Sequence, residues 1–327
     1  MARTLRVGLI GAGTMGLVHY DQLMATRRVT IAALVDPSKR SLAAFRKERP
    51  DAESIPDFAD YQDMLKKVKL DAVAIASPHA FHYEQASACL GKDLHVLCEK
   101  PLAGSVREVK LLIRKANTKE RVLLLCYQRH YQPMFRYMRE RIASGAIGAI
   151  QYVQATQAQE WHRLTKGTWR QRKEQAIAGQ ILDSGSHLID IVLWVTGLKA
   201  KKVYAKLDNL KTEVDINSTL SITFQNGALG SLAIIGNAPS WHEDVTIVGS
   251  KGAFYLRHGQ GLVHLDPHGK PVPLRLPDYL DTPDSNFIKC ILGKEESQAL
   301  PECGLRAMEL TEAAWKSSET GAPVTVR

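Results

Sequence analysis

Cysteine is scarce in this 327-residue chain: Cys89, Cys98, Cys126, Cys290 and Cys303 are odd in number and widely spaced. They make neither a disulfide framework nor a CxxC redox motif. No Cys/His cluster has the sequence spacing of a zinc site, so no metal is expected. Cys98 and Cys126 lie in apolar runs and read as small buried residues. No apolar run reaches the roughly 18 residues of a membrane span. Internal repeats and low-complexity linkers are missing too. Residues Met1 to Arg6 run directly into an apolar strand, with no room for a signal peptide, so a cytoplasmic protein is expected. The formal net charge of +9 is dispersed in short clusters such as Lys66-Lys67-Val68-Lys69, Arg170-Gln171-Arg172-Lys173 and Lys199-Ala200-Lys201-Lys202. Without a continuous basic tract interleaved with aromatics, no nucleic-acid partner is expected.

What is present starts at the first strand. Leu5-Arg6-Val7-Gly8-Leu9-Ile10 leads into Gly11-Ala12-Gly13-Thr14-Met15-Gly16, a helix-like stretch follows, and Val29 to Val35 stops at Asp36. Strand, glycine turn, helix and a strand ending in an acid about 20 residues on are the order that holds a dinucleotide. Gly11 makes the turn, Gly13 lets backbone approach a pyrophosphate, and Gly16 lets the helix lie close to the strand. Thr14 and Met15 open that helix at the phosphates. Asp36 is placed to accept hydrogen bonds from the adenosine ribose, which favours NAD; Lys39 and Arg40 behind it leave NADP as the second choice.

Strand and helix signals alternate to Cys126. Helices are expected at Ser38–Glu48, Asp57–Lys67, Phe81–Leu90 and Val106–Ala116, with buried strands at Leu70–Ala76, His95–Cys98 and Val122–Cys126. Such near-continuous apolar strands between helices predict a parallel sheet covered on both faces. Ligands bind beyond the carboxyl ends of such strands, which groups the glycine turn, Asp36, Ser77-Pro78 and Glu99-Lys100-Pro101 on one rim. From Ile150 the pattern changes to strands at Ile150–Ala158, Lys202–Leu207, Ser218–Phe224, Ala228–Ile235, Asp244–Val248 and Ala253–Arg257. Turns such as Gln225-Asn226-Gly227 join neighbours as hairpins. One helix is expected around Gly179–Val195, others at Met134–Ile142, Asn286–Leu292 and Gly304–Ser317. The fold class is α/β: a doubly wound parallel (Rossmann) domain over residues 1–127, then a domain with a large, mostly antiparallel open sheet over 128–327.

Two further segments carry chemistry. In Asp183-Ser184-Gly185-Ser186-His187-Leu188-Ile189-Asp190, a helix would put Asp183 and His187 on one face, a carboxylate beside an imidazole that could act as general base toward an alcohol. Lys100 follows a strand end on the cofactor rim, where its ammonium could hold a substrate hydroxyl.

Together these segments resemble the glucose–fructose oxidoreductase / inositol dehydrogenase / rhizopine-catabolism (Gfo/Idh/MocA) family nearly end to end. The glycine turn matches its fingerprint. Ala76-Ser77-Pro78-His79-Ala80-Phe81-His82 looks like its Thr/Ser-Pro-x-x-x-His loop, and His95 to Pro101 is similar to its Glu-Lys-Pro signature. Trp169-Arg170 followed by Gly179, Asp183, Gly185, His187 and Asp190 looks like its WR…GGG…D-x-G-x-H-x-x-D segment. Ala178 and Gln180 depart from the glycines usual there, and Asp93-Leu94 are extra.

The resemblance implies Lys100, Asp183 and His187 as the catalytic set. It implies Ser77, Pro78, His82, Glu99, Lys100 and Gln128 as further cofactor contacts. It implies NAD(P)-dependent reversible oxidation of a secondary hydroxyl on a sugar, cyclitol or related polyol, in a homo-oligomer, dimer or tetramer, built through the second domain's sheet. His130 lies where the family meets cofactor or substrate. Trp161, Arg163, Trp169 and Arg170 form an aromatic–basic segment suited to a substrate wall. The alternative on the same scaffold is an NAD-dependent glycoside hydrolase that oxidises, eliminates and reduces back. The Asp183/His187 pair argues against an imine reductase, and retention of Lys100, Asp183 and His187 against a non-catalytic NAD sensor.

Overall fold

The computed structural model describes residues 4–327; Met1–Arg3, read as leading into the first strand, lie outside them. The chain divides into two compact units. One comprises the residues up to Gln128 with Asp281–Glu302, the other Arg129–Leu280 with Cys303–Arg327.

In the first unit β1 (Leu5–Ile10), β2 (Val29–Val35), β3 (Asp57–Phe58), β4 (Ala72–Ile75), β5 (His95–Cys98) and β6 (Leu123–Leu125) form a parallel sheet ordered β3-β2-β1-β4-β5-β6. Helices α1 (Thr14–Ala25), α2 (Lys39–Glu48), α3 (Tyr61–Lys67), α4 (His82–Gly91) and α5 (Val106–Lys119) connect them. Every residue of β4 is buried, as its unbroken apolar run requires in a sheet covered on both faces. Strand order reverses between β1 and β4, so the crevice opens beyond the strand ends there. Ser38, Asp60 and Ser105 cap α2, α3 and α5 with side-chain oxygens. The helix expected over Asp57–Lys67 starts only at Tyr61: Asp57 and Phe58 pair with β2 instead, and the Asp60 cap sets the helix start. The extra Asp93-Leu94 closes α4, with Asp93 left-handed (φ 59°) and Leu94 buried.

Residues 281–302, expected in the second domain, belong to the first unit. Their helix, Pro283–Ile291, touches α1, β5 and β6, and Leu125 N donates to Ala299 O (3.2 Å), partly covering the edge that β6 would expose.

The second unit holds α6 (Pro133–Ala143), β7 (Ile150–Ala158), two short helices α7 (Trp161–Leu164) and α8 (Lys173–Ala176), and α9 (Gly185–Thr196). Then come β8 (Ala200–Asp208), β9 (Asn217–Phe224), β10 (Leu229–Ile235), β11 (His242–Gly249), β12 (Gly252–Arg257) and β13 (Gly261–Leu265). Pro283–Ile291 is α10 in chain order, followed by α11 (Pro301–Thr320) and β14 (Val324–Thr325). The sheet order is β13-β12-β11-β7-β10-β9-β8-β14, antiparallel except for the β7–β10 pair. Strands β13 and β14 were not expected. The β9–β10 hairpin turns through Gln225–Gly227, with Gly227 at φ 89°. Alternating burial along β9 shows one face covered and one open. Helix α9 is buried along its whole length and packs on β7 and α6. No helix among the described residues is long and apolar enough to cross a membrane.

Candidate functional site

The glycine turn is dictated by packing on one side and open on the other. Gly11 sits at φ 102°, and a Cβ there would lie 2.5 Å from Ala76 O; a Cβ on Gly16 would lie 2.1 Å from Gly11 O. A Cβ on Gly13 would meet nothing within 4 Å. Gly13 is also the N-cap of α1, and no side chain caps that helix. The first amides of α1 therefore lack a side-chain partner beside open space, a setting for a pyrophosphate. Thr14 is exposed and Met15 half-buried at this end. At the tip of β2, Asp36 accepts from Ala12 N through Oδ2 (2.9 Å) and from Ser38 N through Oδ1 (2.8 Å). These bonds fix the carboxylate against the turn and leave it lone pairs for ribose hydroxyls. The residues present fit a dinucleotide.

Further along the rim, β4 ends in Ser77-Pro78 and β5 in Glu99-Lys100-Pro101, with a cis Lys100–Pro101 bond. Ser77 Oγ donates to Gln85 Oε1 (2.6 Å). His82, expected to touch cofactor, is instead wholly buried, with Nε2 2.8 Å from Ser77 O and Nδ1 2.6 Å from Pro101 O. Its ring lies between the two rim loops, and as a neutral imidazole it donates to one of these two carbonyls at a time. Burial lowers its basicity against those two contacts. Lys100 is half-buried, and its N donates to Glu99 Oε2 (3.1 Å). Glu99 is buried, and its Oε1 faces His19 Nε2 at 3.4 Å, while His19 Nδ1 lies 2.9 Å from Asp284 Oδ1. Burial works to raise the Glu99 carboxyl, but His19 and Lys100 outweigh it and hold it below its usual range. Burial likewise opposes charging His19, and the Asp284 carboxylate outweighs it, raising the imidazole well above its ordinary value. Neither His19 nor Asp284 was singled out from sequence. His19 falls three residues past Gly16, a usable signal; Asp284, in a late helix, offers none. Gln128 is exposed, just after β6.

In the second unit the segment from Gly179 to Ser184 is a tight turn. The Asp215 carboxylate accepts from Gly179 N (2.8 Å) and Ile181 N (2.7 Å). A Cβ on Gly179 would lie 1.9 Å from Asp215 O. Gly179→Ala should therefore destabilise the protein by about 1–3 kcal/mol, the range of overpacking strain. A thermal melt unchanged from the wild type would contradict this.

Asp183 lies two residues ahead of α9, which begins at Gly185. The Asp215 carboxylate takes the Gly179 and Ile181 amides at the head of this turn, and Asp183 N donates to Gly179 O (3.0 Å) within it. Asp183 Oδ2 accepts from Trp161 Nε1 (2.7 Å) and Arg170 Nε (3.0 Å), which orient a buried carboxylate from two sides. His187 lies in the first turn of α9 at 8% exposure, its amide donating to Ser184 O (3.1 Å).

The expected substrate wall divides. Trp161 is buried against Val214 and Ile216, so its ring belongs to a core cluster and only its N–H serves the site. Trp169 is half-buried, with the Arg170 guanidinium 4.6 Å above its ring. Arg163 is exposed and paired with Glu160. His130, expected near substrate, is wholly buried: Nε2 is 2.7 Å from Asp190 Oδ2, and the ring stacks on Trp194 at 4.2 Å. Its neighbour Arg129 is buried too, paired with Glu243 at 2.5 Å. Both side chains are committed to the interior of the second unit.

Comparison with known proteins agrees with this arrangement. Residues 5–127 match the oxidoreductase family with an NAD-binding Rossmann fold, and residues 135–255 match the GFO/IDH/MocA C-terminal domain. The chain belongs to the Gfo/Idh/MocA oxidoreductase family. Within the family it is 27% identical to D-glucoside 3-dehydrogenase of Escherichia coli, over 98% of this chain and 97% of that protein. It is 24% identical to myo-inositol 2-dehydrogenase of Thermotoga maritima, over 96% of each. Among solved structures, levoglucosan dehydrogenase with NADH and levoglucosan superposes with a TM-score of 0.85 at 21% identity, covering 99% of this chain and 100% of that one. The WlbA dehydrogenase from Bordetella pertussis, with NADH and UDP-GlcNAcA, also scores 0.85, at 22% identity over 99% and 98%.

Proposed function

We propose that this Gfo/Idh/MocA protein is an NAD-dependent dehydrogenase that reversibly oxidises a secondary hydroxyl of a sugar, cyclitol or related polyol. The observation that carries the reading is Asp183, buried and oriented by Trp161 and Arg170 just ahead of His187, in a chain that also places Lys100 at the cofactor rim. The substrates named for the relatives, a D-glucoside, myo-inositol and levoglucosan, support a polyhydroxylated one here. NAD, held by the glycine turn and Asp36, would supply the hydride acceptor. Lys100 holds the reacting hydroxyl oxygen and eases loss of its proton through its positive charge. His187 takes that proton, and Asp183 favours the imidazolium that results. Trp169 and Arg170 offer an aromatic surface and a hydrogen-bonding cation for the sugar. Tyr152, Tyr204 and Leu229, exposed on the sheet of the second unit, offer a contact surface for a homo-oligomer.

The test is a panel of sugars, cyclitols, uronic acids and sugar nucleotides, read by NADH absorbance. Glycoside cleavage without net NADH formation would replace this reading with the redox-neutral hydrolase. Cofactor preference follows from Asp36, whose carboxylate suits free ribose hydroxyls and repels a 2′-phosphate. The expected kcat/KM favours NAD over NADP, and Asp36→Ser should narrow the gap. A wild-type preference for NADP would overturn the assignment.

A further inference from the structure

The polar cluster at the ends of β5 and β6 holds one buried ring nitrogen without a hydrogen-bond partner. His19 from α1, Glu99 after β5 and Cys126 after β6 are all buried and bring one nitrogen, one oxygen and one sulfur within 4.8 Å of one another. They come from distant parts of the sequence but from one compact unit. The His19 Nε2 atom makes no hydrogen bond although the side chain is 3% exposed, and it lies 3.4 Å from Glu99 Oε1. Charge-assisted hydrogen bonds are shorter, about 2.7–2.9 Å. Nitrogen and oxygen ligands at roughly 2.0–2.2 Å from a tetrahedral metal lie roughly 3.3–3.5 Å apart, along one edge of the tetrahedron.

The other ring nitrogen completes the pattern. His19 Nδ1 is 2.9 Å from Asp284 Oδ1, and Asp284 is itself 1% exposed. A metal-bound histidine characteristically gives its second N–H to a carboxylate, which aims the remaining lone pair at the ion. A second buried cluster, His130, Asp190 and Cys303, lacks this signature. There the imidazole nitrogen and the carboxylate oxygen are already 2.7 Å apart, an ordinary hydrogen bond that leaves no room for an ion between them.

We propose that His19, Glu99 and Cys126 form a buried, structural binding site for a divalent transition-metal ion, with Asp284 orienting His19. The mixed imidazole, carboxylate and thiolate donors, and the 3.4 Å separation of the first two, fit zinc better than magnesium or calcium, which take oxygen ligands. The ion would tie α1 to the ends of β5 and β6. Because Glu99 Oε2 also accepts from Lys100 N, it would steady the backbone that carries Lys100. The inference concerns the ion alone and stands whether or not the dehydrogenase reading does. Its competitor is a proton on His19, bridging the two carboxylates without a metal.

The experiment uses the full-length protein, stripped with a chelator and desalted. Titration with cobalt(II) should give a thiolate-to-cobalt charge-transfer band at stoichiometric metal. Zinc(II) should displace the cobalt, remain through desalting and raise the melting temperature, since it binds only the folded chain. The band should vanish in Cys126→Ala and persist in Cys303→Ala. Asp284→Asn should weaken zinc by roughly 10–100-fold, the usual loss on removing an outer carboxylate. Folded wild-type protein that takes up neither metal, or a band that survives Cys126→Ala, would overturn the proposal and leave His19 as an imidazolium between two carboxylates. Should the variants not fold, the wild-type cobalt titration decides alone.

Discussion

Replacing His187 with alanine is expected to lower the rate of alcohol oxidation by roughly 10²–10⁴-fold, the span usual for removing a general base. The fall should appear in kcat, with NAD affinity near that of the wild type. The residue lies in the first turn of α9, in the second unit, whereas the glycine turn belongs to the first. A neutral imidazole is the competent base. Wild-type oxidation should therefore rise with pH and then level off, since a base must be unprotonated to accept a proton. That limb should disappear in His187→Ala. Asp183→Asn should slow turnover as well, because the buried carboxylate ahead of α9 is replaced by a neutral amide. Its Oδ2 is also the shared acceptor of Trp161 Nε1 and Arg170 Nε, so Asp183→Asn should loosen the turn ahead of α9. A pH–rate profile unchanged in His187→Ala would place the base elsewhere, with Asp183 or Lys100 next in line.

Lys100→Met should leave NAD binding nearly intact while cutting kcat by about 10²-fold or more, the scale of removing a positioned electrostatic group. Methionine keeps most of the length and apolar character of the lysine stem, so packing at the rim changes little while the charge is lost. The backbone at this position is held independently of the ammonium: Lys100 N donates to Glu99, and the His82 ring lies between Pro101 O and Ser77 O. The variant should therefore melt close to the wild type. Lost cofactor affinity with normal turnover would show that Lys100 belongs to the dinucleotide site alone.

Much of this was legible before any coordinates. The glycine turn with Asp36 could be read because a dinucleotide imposes a fixed order of strand, turn, helix and acid on a short contiguous stretch. Strands β5 and β7 fall at the expected residues, since buried strands are written as local apolar runs. Errors gathered where a local signal had a nonlocal competitor. Asp57–Phe58 looked helical until β2 offered them a ladder. Residues 179–184 looked like the start of α9 but form a turn whose Gly179 and Ile181 amides go to the Asp215 carboxylate, over thirty residues later.

Side-chain roles divide along the same line. From the residue types came the α/β architecture and the cofactor class, because each belongs to a pattern written in the chain, while the set Lys100, Asp183 and His187 is what the family resemblance implies. Tertiary structure decided which polar side chains remain at a surface and which are spent inside. It buried His130 against Asp190 and Trp194, placed His82 between two loops, and set Trp161 in a core with only its N–H facing Asp183. It also gathered His19, Glu99, Cys126 and Asp284 from four separated segments. Burial and hydrogen-bond partnership are properties of neighbours brought together by folding, and sequence distance carries no record of them.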